Sequence, residues 1–397
     1  MIPNILIYRD QLLPYSETFI PSQVERLQRY RGIYVGTSRL SQPQISIPLE
    51  KSICLNDLVS YPEFWKTALK LAGVIHPRWL RPIKDFSPLL VHAHFGLDAL
   101  WAALFARRLH LPLMITFRGS DITGMQPSRP GNPSPRLRDF VNKRGQFYRD
   151  FYLQRRPGLF QEAKVSIGVS NFIRDRMLLA GCPESKAIVV YDGVALEQFN
   201  SDPAVPRQPI VLFVGRLVEK KGCEYLIRAM ARVQAAWPEA ELVVIGEGPL
   251  RSALERLAQK LLQTYRFLGA QSHAEVTAWM NRAKVLATPS VTAANGDSEG
   301  LPTVVVEAQA MALPVVATRH AGIPEAVVHG KTGFLVAEKD TEGLATRIIG
   351  LLARPELWQA CAIAARQHME KNFDLRRNVE KLEDIYTQVI STGTFSG

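Results

Sequence analysis

Short runs of β-branched and aliphatic residues alternate along this chain with stretches whose apolar positions recur every three or four residues. The runs predict strands and the stretches predict helices, and their regular alternation predicts an α/β protein with parallel sheets. In the first half the predicted strands are Asn4–Tyr8, Ile33–Gly36, Pro88–His92, Leu113–Thr116, Val165–Val169 and Ile188–Tyr191, with helices Ser22–Arg29, Asp98–His110 and Asn171–Ala180 among them. A polar, proline-rich segment, Asn200 to Pro209, then interrupts the pattern and reads as a linker. Beyond it the alternation restarts with strands Ile210–Val214, Glu241–Ile245, Val285–Thr288 and Val315–Thr318, and helices Glu224–Ala236, Leu250–Leu262 and Thr303–Met311. Two similar halves around one linker predict two Rossmann-like domains, residues 1–200 and 207–373. Open α/β sheets bind ligands beyond the carboxyl ends of their strands, so both sheets are expected to face an inter-domain cleft with those ends. Asp374 to Ile390 carries Leu375, Val379, Leu382, Ile385, Tyr386 and Val389 near helical spacing, a closing helix that either completes the second domain or returns to the first. Ser391 to Gly397 reads as a frayed end.

Length and composition fit this picture. The 397 residues have room for two domains, and 47% hydrophobic with 21% charged residues is ordinary for a globular chain. The first ten residues read as a strand rather than a signal peptide, and the longest apolar helical run, Leu100 to Ala106, is too short to span a bilayer. Together these predict a cytoplasmic protein. Cys54, Cys182, Cys223 and Cys361 are scattered with no C-x-x-C, which argues against a disulfide framework or a zinc knuckle and for four buried thiols.

Charge changes the picture in one half only. The net charge is +11; residues 1–200 hold 26 Lys and Arg against 16 Asp and Glu, and the remainder 22 against 21. A basic first half suits an anionic partner, either a membrane surface or a lipid pyrophosphate, or it serves solubility alone. No nucleic-acid motif accompanies the charge, so no nucleic-acid partner is expected. Within that half, Arg129 to Arg156 contains eight basic residues, two acidic ones and the aromatics Phe140, Phe147, Tyr148, Phe151 and Tyr152. After a proline-rich loop it reads as an amphipathic helix that either lies on an anionic membrane or packs on its own domain.

The candidate chemistry sits at predicted strand ends. Gly296-Asp297-Ser298-Glu299-Gly300-Leu301-Pro302-Thr303 leads into a helix that carries Glu307, so two carboxylates stand eight positions apart, a little over two helical turns. A helix starting near Pro302 also aims free backbone N–H groups at the same place, which suits a phosphorylated, hydroxyl-rich ligand. Gly215-Arg216 to Lys221-Gly222 follows a strand directly, and Arg216 with Lys221 can neutralise a diphosphate. Gly246 and Gly248, after another strand, allow close backbone approach to a ligand or form a simple turn. On the first-domain side, His92 and His94 share a face, but no third ligand and no D-x-D accompany them. No metal is therefore expected; one histidine as a sugar-hydroxyl partner is the more economical reading, with His92 a satisfied core residue. Thr116-Phe117-Arg118-Gly119-Ser120-Asp121 ends the next strand, and the Pro14 to Ile20 loop, with Ser16 as a helix cap or cleft residue, enters the first helix.

Taken together, Gly215-Arg216 with Lys221-Gly222, Gly246-x-Gly248-Pro249, Glu299-x7-Glu307 and Gly322-Ile323-Pro324-Glu325 with Gly333-Phe334-Leu335-Val336 resemble the retaining glycosyltransferases of family 4, which have the GT-B fold. The resemblance spans nearly the whole chain and is densest between about residues 165 and 340. The Ser16-Glu17-Thr18-Phe19 loop and Gly296 to Gly300, in place of a commoner Pro-Phe-Gly version, resemble the branch that builds exopolysaccharides of the colanic acid and amylovoran type.

The resemblance implies transfer of a sugar from a UDP- or GDP-sugar to a glycan or polyprenyl-linked acceptor, without a metal or other cofactor. It implies that Arg216 and Lys221 hold the donor diphosphate and that Glu307 binds the ribose. Glu299 and His94 would meet the donor sugar, backbone N–H groups from Leu301 to Thr303 would lie near sugar and phosphate, and the C-terminal helix would return to the first domain. Members often carry His where this chain has Arg118; an arginine there cannot act as a base and is expected, with Ser16 and Asp121, on the acceptor side. The competing readings are a nucleotide-sugar epimerase on the same fold and a non-catalytic nucleotide-sugar or polyanion-binding protein.

Overall fold

A computed structural model describes residues 2–12, 17–39, 48–123 and 139–392, with side chains of the last stretch described from Phe147 onward. Ser16 and residues 124–138 lie outside the described residues. The chain divides into two compact units, residues 1–192 with 376–397, and residues 193–375.

The first unit is built on seven parallel strands. In chain order they and two short companions are β1 (Asn4–Tyr8), β2 (Gln11–Leu12), β3 (Arg31–Gly36), β4 (Ser38–Arg39), β5 (Ser52–Cys54), β6 (Val91–His94), β7 (Leu113–Phe117), β8 (Val165–Gly168) and β9 (Ala187–Val189). The main sheet runs β5-β3-β1-β6-β7-β8-β9, and β2 pairs with β4 apart from it. Chain order therefore reverses direction between β1 and β6, the switch point where loops from neighbouring strands part and leave a crevice. One face of the sheet packs Leu6, Tyr8, Val91, Ala93 and Ile115 against Trp79, Phe105 and Phe160. The other face packs Ile5, Ile7, Tyr34 and Met114 against Leu382, Ile385, Tyr386 and Val389 of the C-terminal helix, Leu375–Thr392. All six apolar positions read from that helix's periodicity are buried. Glu383, 1% exposed, accepts the N–H groups of Gln28 and Arg29 and thereby fastens the helix to the turn ahead of β3.

The second unit carries β10 (Gln208–Val214), β11 (Glu241–Ile245), β12 (Tyr265–Gly269), β13 (Ala283–Thr288), β14 (Val315–Thr318) and β15 (Gly333–Val336). All pair in parallel, in the order β12-β11-β10-β13-β14-β15. The switch point here lies between β10 and β13. The strands read as Val-, Ile- and Leu-rich runs because helices cover both faces. The segment read as a linker is tied down at its end, since the Arg207 guanidinium donates to the carbonyls of Met280, Ala283 and Met311. All four cysteines are buried and free.

Several elements differ from the sequence reading. The first helix is Phe19–Val24 rather than Ser22–Arg29, and the third strand runs on through His94 instead of ending at His92. Strands β12 and β15 were not anticipated. β12 is partly exposed, and β15 coincides with the Gly333 to Val336 run that enters the sequence reading only as part of a family motif.

Candidate functional site

In the second unit the sequence-predicted residues gather at the carboxyl ends of β10, β11, β13 and β14. The loop after β10 carries Gly215, an exposed Arg216, and a 3-10 turn, Glu219–Lys221, closed by Gly222 at φ +64°. A side chain on Gly222 would meet the Pro289 carbonyl at 1.9 Å, so only glycine lets this loop lie against the one after β13. Across that contact Lys221 Nζ stands 3.2 Å from Glu299 Oε1, which joins the two strands flanking the switch point. Burial pushes the Glu299 carboxyl up, but Lys221, then Lys220, outweigh it and hold the group below the usual carboxylate range.

The loop that carries Glu299 is pinned on three sides. Lys220, largely buried, donates to Asp297 at 3.1 Å and to the Ser298 carbonyl at 3.3 Å. The Glu299 N–H donates to His320 Nε2, and Gly322 N–H donates to the Gly300 carbonyl at 2.9 Å. His320 Nδ1 lies 2.7 Å from Glu338, which also accepts the Thr292 N–H at 3.0 Å. A backbone amide can only donate, so the neutral His320 ring accepts at Nε2 and carries its proton on Nδ1 toward Glu338.

The helix after this loop is Thr303–Ala310, with Pro302 as its cap residue. Its first N–H groups have no intrahelical acceptor and point back along the loop. Leu301 and Thr303 are partly exposed at that end. The helix starts where the sequence places it: Glu299 lies in the loop ahead of it and Glu307 within it, and the pinning of the loop sets Glu299. Glu307 keeps a partly exposed edge, yet desolvation by the surrounding protein pushes its carboxyl up to about 7.

The glycines after β11 also lie against the loop after β10. A side chain on Gly246 would strike the Gly215 carbonyl at 1.9 Å, and one on Gly248 the Leu217 carbonyl at 2.4 Å. They are required by the neighbouring loop of the same unit, which they support from beneath.

In the first unit His92 and His94 lie side by side, ring centres 4.4 Å apart. His92 is satisfied, with Tyr386 Oη on Nδ1 and Thr116 Oγ1 on Nε2, each at 2.7 Å, and burial lowers it to about 3. His94 is fully buried; its Nδ1 lies 3.1 Å from Arg118 Nη2, and its Nε2 has no partner among the described residues. Burial, then the neighbouring His92 ring and the charges of Arg118 and Arg9, hold His94 well below its ordinary value. Arg118 is corrected from an acceptor-facing cation to an internal one: Nη1 pairs with Asp192, Nη2 meets His94, and the guanidinium lies 4.1 Å over the Phe19 ring. Asp121 is corrected likewise. It is 2% exposed, and its carboxylate accepts the N–H groups of Gly96 and Gly119 at 2.8 Å and of Arg118 at 3.1 Å. Arg9, after β1, grips Glu17 with two nitrogens at 2.7 Å and Asp98 at 2.5 Å across this unit's switch point.

Sequence reasoning missed Lys220, His320, Glu338 and Asp192. The first hides beside Lys221, and the others stand at strand ends without a motif of their own. Position just beyond a predicted strand was the signal available for His320 and Asp192. Among the described residues, no group of three or more His, Cys, Asp or Glu is placed to hold a metal ion, and no single helix is long and apolar enough to cross a membrane.

Comparison with known proteins follows the same division. Residues 33–198 match the family described as Glycosyltransferase Family 4, and residues 195–368 match Glycosyl transferases group 1. The chain is 31% identical over 233 residues to the amylovoran biosynthesis glycosyltransferase AmsK of Erwinia amylovora, covering 58% of this chain and 57% of that one. It is 35% identical over 194 residues to the putative colanic acid biosynthesis glycosyltransferase WcaL of Escherichia coli, covering 48% of each. The matched region spans about half the length of these curated relatives. Two solved structures share the fold across nearly the whole chain. HepE of Anabaena, in complex with UDP and glucose, has a TM-score of 0.73 at 18% identity, covering 97% of this chain and 100% of that one. Sucrose-phosphate synthase of Thermosynechococcus elongatus has a TM-score of 0.75 at 18% identity, covering 98% and 99%. Two Rossmann-like units, each with its polar residues at a switch point, and a family match in each half identify the chain as a member of the family 4, group 1 glycosyltransferases, with the GT-B fold.

Proposed function

We propose that this protein transfers a sugar from a nucleotide diphosphate sugar to a hydroxyl of a glycan or lipid-linked acceptor in exopolysaccharide or cell-surface glycan synthesis, with retention of anomeric configuration. The observation that carries the reading is the Lys221–Glu299 ion pair at the β10–β13 switch point, beside the exposed Arg216 and the open start of the Thr303–Ala310 helix. Cations and free N–H groups suit a diphosphate; a carboxylate held ionised among them suits sugar hydroxyls, which donate to it. The amylovoran and colanic acid names of the relatives, and the UDP and glucose in HepE, support the same substrate class.

The bond that breaks joins the anomeric carbon to a phosphate oxygen, through a transition state with oxocarbenium character. Negative charge grows on the departing diphosphate, where Arg216, Lys221 and the helix start lower its energy without a metal. Glu299 orients the sugar and Glu307 accepts from the ribose hydroxyls. The acceptor proton passes to the departing diphosphate on the same face, and front-side attack of this kind retains configuration without a protein nucleophile. Gly246 and Gly248 contribute by supporting the phosphate loop. The protein would work at the cytoplasmic face of a membrane, with its basic first unit toward anionic lipid.

The test is incubation of the purified chain with UDP-, GDP- and ADP-sugars, with and without membrane extracts as acceptor. Turnover that needs both donor and acceptor supports transfer. Isomerised donor in the absence of acceptor would make it an epimerase. Donor-induced thermal stabilisation with no turnover of any donor would make it a binding protein.

A further inference from the structure

His94 poses a question that its surroundings answer. An imidazole offered to a substrate acts as a donor or as an acceptor according to which ring nitrogen holds the proton. Arg118 cannot be deprotonated in a protein and has no acceptor, so its 3.1 Å approach to Nδ1 makes that nitrogen the acceptor. The proton of the neutral ring then sits on Nε2, the buried nitrogen without a partner among the described residues. A buried N–H left without a partner is costly, and a ligand oxygen removes the cost.

We infer that Arg118 is a positioning residue that locks His94 as the Nε2–H tautomer, so that His94 donates a hydrogen bond to a substrate oxygen and does not serve as a base. This rests on the reading of His94 as a substrate-facing residue. Arg118 is itself fixed in three ways: by Asp192 at Nη1, by the Phe19 ring beneath the guanidinium, and by a backbone N–H bond to Asp121. The titratable and charged groups around His94 are the neutral His92 on β6, Arg9 after β1 and Arg118 after β7, with Asp192 beyond Arg118. None of the three nearest favours a protonated ring. The lock therefore works in two ways: the fork selects the tautomer, and its charge keeps the ring neutral. Lysine, with one nitrogen, cannot serve Asp192 and His94 with two separate nitrogens as arginine does.

The test uses the full chain labelled with 15N-histidine, with the His94 signals assigned by their loss in His94→Gln. Near neutral pH and without ligand, the wild-type spectrum should show His94 Nδ1 unprotonated and Nε2 protonated. The pair Arg118→Met with Asp192→Asn removes both charges without leaving a lone buried carboxylate. It should turn the His94 signals into a mixture of tautomers and lower kcat/KM about tenfold, the size of one lost hydrogen bond. Arg118→Lys should retain more of the Nε2–H form than the double variant. A wild-type spectrum with a proton on Nδ1, or an unchanged tautomer in the double variant, overturns the lock. If the tautomer shifts as expected but His94→Ala turns over as wild type, the substrate-facing reading of His94 fails. The ligand part of the inference then fails with it, and the tautomer assignment still stands on the spectrum.

Discussion

The backbone N–H of Glu299 donates to Nε2 of His320 at 3.1 Å. This bond ties the loop after β13 to the end of β14, and Glu338 completes it by holding the other ring nitrogen at 2.7 Å. His320→Ala leaves the Glu299 N–H without that acceptor and Glu338 without its ring partner. An unmade buried bond of this kind costs about 1–3 kcal/mol. We expect a lower melting temperature and a fall in kcat/KM in donor titrations. Glu338→Gln keeps an oxygen for Nδ1–H and should be milder. Equal damage from both variants would show that the carboxylate charge, rather than the hydrogen-bond chain, matters.

Lys221 and Lys220 are adjacent but do different work. Lys221 faces Glu299, whereas Lys220 turns inward to Asp297 and Ser298. Removing a single electrostatic contact to a developing oxyanion costs about 2.7–4 kcal/mol. Lys221→Ala should therefore cut turnover at saturating donor by a few hundred-fold, and should also lower the melting temperature because it leaves the buried Glu299 carboxylate unpaired. Lys220→Ala should lower the melting temperature with a smaller fall in turnover, since Lys220 turns away from the Glu299 carboxylate. Near-wild-type turnover in Lys221→Ala would remove the leaving-group role.

Glu307 predicts a pH dependence. Its folded-state carboxyl lies near 7, above the usual value of about 4.3 for an unfolded chain. A raised folded value means that the group's contribution to stability is fully present below pH ~4.3 and is lost as pH rises through ~7. Glu307→Gln should match wild type in melting temperature near pH 4 and exceed it above pH 7. Donor affinity of the wild type should weaken below pH 7, because ribose hydroxyls donate to the ionised form. A pH-independent difference between the two proteins would refute both statements.

Asp121 is predicted to act on stability. Three backbone N–H groups from the loops after β6 and β7 converge on its carboxylate. Asp121→Ala should lower stability by about 3 kcal/mol, measured by denaturant unfolding, since several buried donors lose their acceptor at once. A fully stable variant with altered acceptor preference would restore the acceptor-side reading.

Metal removal gives a fifth test. With Arg216, Lys221 and a helix start placed to neutralise the diphosphate, chelator should leave turnover unchanged. Loss of activity in EDTA, restored by a divalent cation, would require a different account of the leaving group.

Much of this was legible in the sequence because it is periodic or local. The strand and helix alternation, the six buried positions of the C-terminal helix, the helix beginning at Thr303 and the cations after β10 all follow from side-chain spacing or turn chemistry. Strand order does not, and strand order is what brings Lys221 to Glu299, 78 positions apart in the chain, and Arg9 to Asp98 across the other switch point. The sequence showed glycines at 246 and 248 but not their reason, because the carbonyls they accommodate belong to another strand's loop. It showed carboxylates and cations at 118, 121 and 299 but not which way each faces. Arg118 and Asp121 turned out to serve their own unit, since their partners at His94, Asp192 and Gly96 are supplied by other strand ends. Local spacing determined the elements and the inventory of chemical groups. Only the tertiary structure decided which groups meet, because a hydrogen bond or an ion pair forms between atoms within about 3 Å, a distance that strand order sets and sequence separation does not.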